Sequence, residues 1–314
     1  MGMGVSQFGN LFRETSDEIS ASAVTRARAA GIRYFDTAPH YGLGLSERRL
    51  GAGLRGVARD EYTLSTKVGR LLVESPETAD QLDPEGFIVP ASVKRVWDFS
   101  REGVLRSVEA SLARLSTDRL DIVYLHDPDD FWAEASTTGL DALIELRDQG
   151  VVGAVGAGMN QADMLADFVE RTDVDVVMVA GRFTLLDQTA LTRLLPAAAD
   201  RGVGVVAAAV YNSGLLSSPT VSDDAHFDYG QASRPTIERA RSIASVCERF
   251  GVPLPAAAVQ YPLRHPAVVS VVLGTRTAEH VDSNLERFHT PIPDELWAEL
   301  DASGLAPDPI GTLR

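Results

Sequence analysis

Residues 201–210 read RGVGVVAAAV, an apolar run of valine, alanine and glycine that carries no charge after Arg201. A strand with one face in water alternates apolar and polar residues, whereas a continuous apolar run is typical of a strand buried on both faces. Two further runs share this character, VVMV at 176–179 and VVSVVL at 268–273. Strands of this kind occur in parallel sheets whose two faces are covered by helices.

The whole chain alternates such runs with amphipathic stretches. The predicted strands lie around Val5 and over Ile32–Phe35, Tyr62–Val68, Leu120–Leu125, Val151–Gly156, Val174–Val179, Val203–Ala209 and Ala267–Leu273. The predicted helices run from near Ser16 to Gly31 and over Arg101–Leu115, Gly139–Gln149, Gln161–Glu170, Asp187–Asp200 and Pro235–Phe250. Eight strand–helix units predict an α/β fold, a (β/α)8 TIM barrel that forms a single domain over residues 1–314. An open doubly wound sheet is the alternative.

Composition limits the class of partner. The 314 residues include 29 Lys plus Arg against 44 Asp plus Glu, which gives a formal charge of −15. A surface this acidic repels nucleic-acid phosphates and anionic lipids, so we expect neither partner. The single cysteine, Cys247, excludes an internal disulfide. With no apolar run of about 18 residues and no signal-peptide pattern at the start, we expect a cytoplasmic protein that binds a small molecule.

Titratable residues stand where the predicted strands end. Asp36, Lys67 and His126 end the second, third and fourth strands, and Tyr41 follows Asp36 in the next loop. Because the carboxyl ends of barrel strands form one face, on which barrel enzymes carry their catalytic groups, we expect these four side chains to converge.

The four residue types together suit proton transfer at a carbonyl or alcohol. Free tyrosine has a pKa near 10 and is a poor acid or base at neutral pH. A neighbouring ammonium is expected to lower the pKa of Tyr41, and the Asp36 carboxylate is expected to keep a buried Lys67 charged. His126 can then donate a hydrogen bond to the substrate oxygen.

Several motifs resemble those of one enzyme family. FDTAPHYGLGLSERRLG at 35–51, the strand-end Lys67 and YLHDPDD at 124–130 resemble the aldo-keto reductases over nearly the whole chain. This family has a (β/α)8 barrel, binds NAD(P) across the carboxyl ends of its strands and uses an Asp–Tyr–Lys–His tetrad, which matches Asp36, Tyr41, Lys67 and His126. The segments at 95–115, 153–161 and 208–216 look like the bacterial branch of L-fucose or D-threo-aldose 1-dehydrogenases, with pyridoxal 4-dehydrogenases close.

The resemblance implies oxidation of the anomeric carbon of an aldose to a lactone, with Tyr41 as the acid/base. Alternatives in the same class are oxidation of pyridoxal to 4-pyridoxolactone and general reduction of aldehydes or ketones. Alternatives from other classes are a lyase that forms a Schiff base on Lys67 and a redox-sensing subunit on an inactive reductase scaffold.

The resemblance also implies a cofactor site, with NAD and NADP both left open. Residues that open the helix after the eighth strand would hold the adenosine phosphate, with Arg276 as the nearby cation; they are Gly274, Thr275, Arg276, His280 and Asn284. The remaining candidates follow strands five to seven; they are Gly158, Asn160, Arg182, Tyr211, Asn212, Ser213, Gly214 and Leu215. The segment 212–215 is expected to wrap the pyrophosphate with backbone amides.

Three further residues are candidates for contact with a sugar. Trp97 offers a stacking surface, and Asp98 and Asp127 offer carboxylates that accept sugar hydroxyls. No metal-ligand spacing is present among the histidines. A G-x-G-x-x-G pattern at 51–56 follows a helical stretch instead of opening a helix after a strand, so we interpret it as a loop.

Overall fold

Eight parallel strands close into a barrel in the computed structural model, which describes residues 1–228 and 230–311. The strands along the chain are β1 Gly2–Gly4, β2 Tyr34–Asp36, β3 Thr63–Val68, β4 Arg70–Glu74, β5 Val93–Trp97, β6 Leu120–His126, β7 Val152–Met159, β8 Val176–Ala180, β9 Gly204–Ala208, β10 His226–Phe227, β11 Gly230–Gln231 and β12 Val268–Gly274. The order around the barrel is β1-β12-β9-β8-β7-β6-β3-β2. This confirms the predicted barrel and excludes the open sheet.

Helices follow most barrel strands. They are α1 Asp17–Ala29, α2 Leu45–Gly53, α3 Arg101–Leu115, α4 Trp132–Glu134, α5 Leu140–Asp148, α6 Ala162–Arg171, α7 Leu194–Arg201, α8 Arg234–Arg249, α9 Leu254–Gln260, α10 Ala278–His289 and α11 Asp294–Ala302. The first begins as predicted, because the Ser16 side chain accepts a hydrogen bond from the backbone N–H of Ile19. No helix within the described ranges has both the length and the apolar character needed to cross a membrane.

Several features differ from the sequence prediction, among them the glycine pattern at 51–56, whose first three residues end α2 instead of lying in a loop. The first strand lies just before Val5, and the predicted helix Asp187–Asp200 is instead a 3-10 turn at Thr189–Leu191 followed by α7. The short alanine-rich α9 was not predicted. The connection 70–100 is not a plain loop, because β4 and β5 pair as an antiparallel hairpin from Arg70 opposite Trp97 to Glu74 opposite Val93. Its pairing partners are 19 to 27 residues apart in sequence, so local periodicity did not reveal it.

The described residues form two compact units. The first comprises Met1–Met159, Thr172–Val176 and Gly274–Asp282, and the second comprises the described residues of 160–171, 177–273 and 283–314. The first unit contains β1 to β7 and helices α1 to α5. The second contains β9, β10, β11 and helices α6 to α9 and α11.

Strand register in the first unit places functional side chains on one face. Asp36 of β2 lies opposite Ser65 of β3, and Lys67 of β3 lies opposite Tyr124 of β6. Because side chains alternate along a strand, Lys67 shares a face with Ser65, and His126 shares a face with Tyr124. The register therefore brings the three strand-end residues to one face at one end of these strands.

Candidate active site

A buried ion pair forms the base of the site. Lys67 Nζ lies 2.8 Å from Asp36 Oδ2 and 3.0 Å from Asp36 Oδ1, and it also donates to the backbone oxygen of Thr37 at 2.9 Å. Burial on its own would lower the pKa of Lys67, but the Asp36 carboxylate, together with Tyr41 and Tyr34, raises it by more, so this pKa lies above its usual value. Lys67 is therefore a charged ammonium, as predicted.

Tyr41 lies directly against this ammonium. Its ring centroid is 4.9 Å from Lys67 Nζ, and the residue keeps part of its surface exposed. The loop that carries it turns tightly at Gly42, where φ is +62° and a Cβ would lie 2.3 Å from the backbone oxygen of Gly9. Only glycine fits such a position, so the backbone after Tyr41 is fixed by close packing.

The pKa of Tyr41 corrects one expectation. Lys67 acts to lower this pKa, as the sequence predicts, but burial of the phenol raises it by more, and Asp36 adds to the rise. The net direction is upward, so without a ligand Tyr41 keeps its proton at neutral pH. Tyr41 therefore holds a proton in the free protein, and it becomes a base only when that proton is removed.

His126 completes the group of four. Its ring centroid is 5.8 Å from that of Tyr41, in an edge-to-face arrangement. Burial and then the charges of Lys67 and Arg70 hold the pKa of His126 well below its usual value, so the imidazole is neutral. Its Nδ1 is buried and lacks a hydrogen-bond partner among the described residues. The structure therefore brings together all four residues that the strand ends predicted.

Arg70 and His40, which sequence reasoning missed, adjoin the group together with Asp127, one of the predicted sugar contacts. Arg70, at the start of β4, donates to Asp127 Oδ2 at 2.5 Å and contacts His40 Nδ1 at 3.3 Å. Asp127 Oδ2 also lies 3.6 Å from His126 Nε2. The sequence offered a signal in that His40 precedes Tyr41 and Arg70 follows Lys67 by three positions.

Trp97 and Asp98, two of the predicted sugar contacts, differ in whether their side chains already have local partners. Trp97 is 42% exposed and packs against Phe131 at 5.2 Å between ring centroids, with the Arg70 guanidinium 4.5 Å from its own ring centre. The ring is partly exposed, and its stacking on a sugar stays a prediction. Asp98 instead accepts hydrogen bonds from the backbone and hydroxyl of Ser100 at the start of α3, so its carboxylate has a local partner. Its contact with a sugar stays a prediction.

Among the cofactor candidates in the first unit, Arg276 has hydrogen-bond partners that the sequence did not indicate. The side chain is buried and donates to the backbone oxygens of Leu11 at 2.7 Å and Arg13 at 2.8 Å, and to the hydroxyl of Thr15. These acceptors are neutral oxygens, so the guanidinium keeps its positive charge, and its contact with a phosphate stays a prediction. Its partners lie more than 260 positions away in sequence, which is why the pattern at 274–284 did not show them.

The other candidates of this unit are placed as follows. Gly158 pairs with His126 across β6 and β7, and its oxygen accepts from the backbone N–H of Asp127. Thr275 donates its backbone N–H to the oxygen of Gly4. Gly274 lies next to Gln7, and His280 Nδ1 lies 3.4 Å from the backbone nitrogen of Arg276.

In the second unit, two candidates line a cavity of about 270 Å³. Asn160 and Arg182 share it with Gln161, Asp163 and Thr189. Arg182 also contacts both oxygens of Asp228 at 2.9 Å. The guanidinium is thus already paired with a carboxylate.

The turn after β9 holds the last candidates. The backbone N–H groups of Gly214 and Leu215 donate to the oxygens of Tyr211 and Asn212, so these amides close the turn instead of facing a pyrophosphate. The Tyr211 hydroxyl donates to Asn284 Oδ1 at 3.1 Å. Ser213, like Asn212, has a positive φ.

Asn212 provides the direct test of whether a cofactor fits here. Its Nδ2 donates to the oxygen of Gly181 at 3.3 Å, while its Oδ1 is buried and lacks a partner within the described ranges. Buried polar atoms are normally paired, so an enclosed acceptor without a protein partner fits a ligand donor such as a carboxamide or ribose hydroxyl.

Comparison with known proteins agrees with this geometry. The aldo/keto reductase family matches residues 1–304. The D-threo-aldose 1-dehydrogenase of a Pseudomonas species is 45% identical over 312 residues, covering 98% of this chain and 95% of the relative. The pyridoxal 4-dehydrogenase of Microbacterium luteolum is 36% identical, covering 97% of this chain and 94% of the relative.

A solved structure supports the fold independently. The glycerol dehydrogenase of Gluconobacter oxydans has a TM-score of 0.77 at 22% identity, covering 98% of this chain and 92% of that one. A structural likeness at this identity supports the fold alone. The family assignment rests on the sequence matches. The chain belongs to the aldo/keto reductase family and is an oxidoreductase that acts with a nicotinamide cofactor on CH–OH groups.

Proposed function

We propose that this protein oxidises the anomeric carbon of an aldose of the L-fucose or D-threo type to the lactone, with NAD or NADP as cofactor and residues 1–314 acting as a single domain. The observation that carries the reaction type is the placement of Tyr41 between the Lys67–Asp36 ion pair and the neutral His126. Support for the sugar comes from the relative that is 45% identical over almost the whole chain.

Each residue of the group has a distinct role in this proposal. In the oxidising direction, the Tyr41 phenolate takes the proton of the hydroxyl on the reacting carbon, and Lys67 stabilises the phenolate. Asp36 holds Lys67 in place and charged. Because His126 is neutral, it can donate one ring N–H to the same oxygen and orient it.

The nicotinamide, when bound, supplies the acceptor for the hydride. In the second unit, Asn212 is the residue best suited to contact the cofactor, because its Oδ1 is an unpaired buried acceptor among the described residues. The charged state of Lys67 also weighs against the Schiff-base alternative, since an ammonium held by a carboxylate is not a nucleophile.

The first experiment mixes purified protein with NAD⁺ or NADP⁺ and one of L-fucose, D-arabinose, L-galactose or pyridoxal, and records the absorbance of reduced nicotinamide. We expect this absorbance to increase with at least one sugar. If the absorbance increases with pyridoxal alone, pyridoxal replaces the sugar as the proposed substrate. Pyridoxal is the second candidate, which the 36% identical relative favours. No growth with any of the four, while the cofactor still binds, would contradict both.

A further inference from the structure

A second imidazole lies beside the catalytic group. The ring centroid of His40 is 5.5 Å from that of His126 and 5.7 Å from that of Tyr41. The mechanism above uses Tyr41 and His126 at a single oxygen and leaves His40 without a role. What this ring can bind depends on which of its two nitrogens carries a proton and on which of them has a partner.

Arg70 fixes which ring nitrogen of His40 carries a proton. Arg70 Nη1 lies 3.3 Å from His40 Nδ1, and a guanidinium can only donate hydrogen bonds. Nδ1 must therefore accept, which leaves the proton on Nε2. Glu85 Oε2 is 3.6 Å from Nδ1, beyond hydrogen-bond distance, so it does not compete as an acceptor.

The ring stays neutral under all ordinary conditions. Burial, followed by the positive charges of Arg70, Arg95 and Lys67, lowers the pKa of His40 to about 2. The Asp127 carboxylate holds Arg70 in place from its far side, at 2.5 Å. Nε2–H is therefore a permanent donor with a fixed orientation.

This donor is open to a ligand. His40 Nε2 has no hydrogen-bond partner in the described part of the chain, yet it is not among the fully enclosed polar atoms that lack one. The side chain keeps 14% of its surface exposed. His126 Nδ1, in contrast, is enclosed.

The spacing of the two imidazoles matches two neighbouring oxygens. A hydrogen bond spans ~3 Å between heavy atoms, so rings whose centroids lie 5.5 Å apart can each contact one of two oxygens on adjacent carbons. We propose that His40 donates from Nε2 to the hydroxyl on the carbon next to the reacting carbon, and so selects substrates that carry a 2-hydroxyl. This inference rests on the proposed aldose oxidation and names its specificity-determining residue.

The test compares three variants of His40 on the best aldose of the panel and on its 2-deoxy analogue. His40→Gln places an amide where Nε2 lies, His40→Asn places one where Nδ1 lies, and His40→Phe keeps a ring without nitrogen. His289→Phe makes the same exchange at a histidine at the end of α10 and serves as control. The readouts are kcat and KM for each sugar and the fluorescence of bound reduced cofactor.

We expect the wild type to prefer the 2-hydroxy sugar by about tenfold or more in kcat/KM, as one lost hydrogen bond to a substrate predicts. His40→Phe and His40→Asn should lose that preference, mainly through KM, with the 2-deoxy sugar and cofactor binding changed by less than about twofold. His40→Gln should retain part of it. The comparison of His40→Gln with His40→Asn tests the inference even if the His40→Phe variant does not fold.

Equal preference in the Gln and Asn variants, or an unchanged preference in His40→Phe, would overturn the inference. Either result leaves the wild-type oxidation of the aldose intact. Failure of the proposed function has a different signature, because the wild type itself would then oxidise no aldose of the panel.

Discussion

At the scale of single residues, two opposing effects act on the phenol of Tyr41. Burial raises its pKa, and the ammonium of Lys67, 4.9 Å from the ring centre, lowers it by a smaller amount. The free protein therefore holds a neutral phenol beside a charged amine. This protonated form is the one that reduction of a carbonyl uses, whereas oxidation of an alcohol needs the proton to leave first.

We predict that the two directions of the reaction depend differently on pH. Because the pKa of Tyr41 is raised, the base form grows only at alkaline pH, so kcat/KM for oxidation should climb from pH 7 to pH 10. Carbonyl reduction, which uses the acid form, should change little over the neutral range. Tyr41→Phe should lower both rates by about 10²–10⁴-fold and leave cofactor binding intact.

The measurement is a pair of pH–rate profiles with wild type and Tyr41→Phe, together with cofactor binding by fluorescence. An oxidation rate that is flat from pH 7 to pH 10, or a variant with near-normal turnover, would contradict the role given to Tyr41.

The contrast between Tyr41 and Arg276 shows which residues the sequence can predict. Strand ends and one loop were enough to bring Asp36, Tyr41, Lys67 and His126 together, because parallel strands share one end. The partners of Arg276 are backbone oxygens at Leu11 and Arg13, and no local pattern indicates a contact across so long a separation.

At the scale of elements, the β4–β5 hairpin connects the long loop after β3 to the site. Arg95 of β5 donates to both oxygens of Asp83 at 2.7 Å and to the backbone oxygen of His40 at 2.7 Å. The Arg95 and Asp83 side chains are only 9% and 1% exposed. One buried pair thus fastens the connection to the residue before Tyr41.

We predict that Arg95→Met destabilises the protein strongly, because it leaves the buried Asp83 carboxylate without its main partner. The free energy of unfolding should fall by about 3–5 kcal/mol. In the same variant, the segment 76–92 should become more accessible to proteases, and kcat/KM should fall. Urea denaturation and limited proteolysis measure these effects.

An exposed ion pair provides the matched control. Arg101 and Glu145 are 49% and 41% exposed, so Arg101→Met should change the free energy of unfolding by less than about 1 kcal/mol. Similar losses in the two variants would show that the Arg95–Asp83 pair has no special part in holding the hairpin.

At the scale of the whole molecule, the closed strand order was predictable and the extra elements were not. Strands buried on both faces leave a continuous apolar signal, as VVMV at 176–179 does in β8. The hairpin lies outside the barrel sheet, and its three prolines at 76, 84 and 90 favour a loop in any local interpretation. Its strands form because they pair with each other, and no local property of either strand predicts that pairing.

The charge of the whole chain bears on the choice between NAD and NADP. NADP carries one phosphate more than NAD, worth about two negative charges at neutral pH. The chain has a formal charge of −15, and the cation expected for that phosphate, Arg276, donates instead to Leu11 and Arg13. The acidic net charge disfavours the additional phosphate, and these hydrogen bonds leave Arg276 fewer N–H groups with which to hold it.

We therefore predict that NAD⁺ exceeds NADP⁺ in kcat/KM by about tenfold or more at low salt, since each 1.4 kcal/mol of unfavourable binding is a factor of ten. The difference should narrow with salt, because the Debye length falls from about 30 Å at 0.01 M to about 8 Å at 0.15 M and screens the repulsion. The KM of the uncharged sugar should stay constant over the same range and serves as the control. A preference for NADP⁺, or an NAD⁺ preference that salt does not alter, would mean that a local cationic contact, and not the field of the chain, sets cofactor choice.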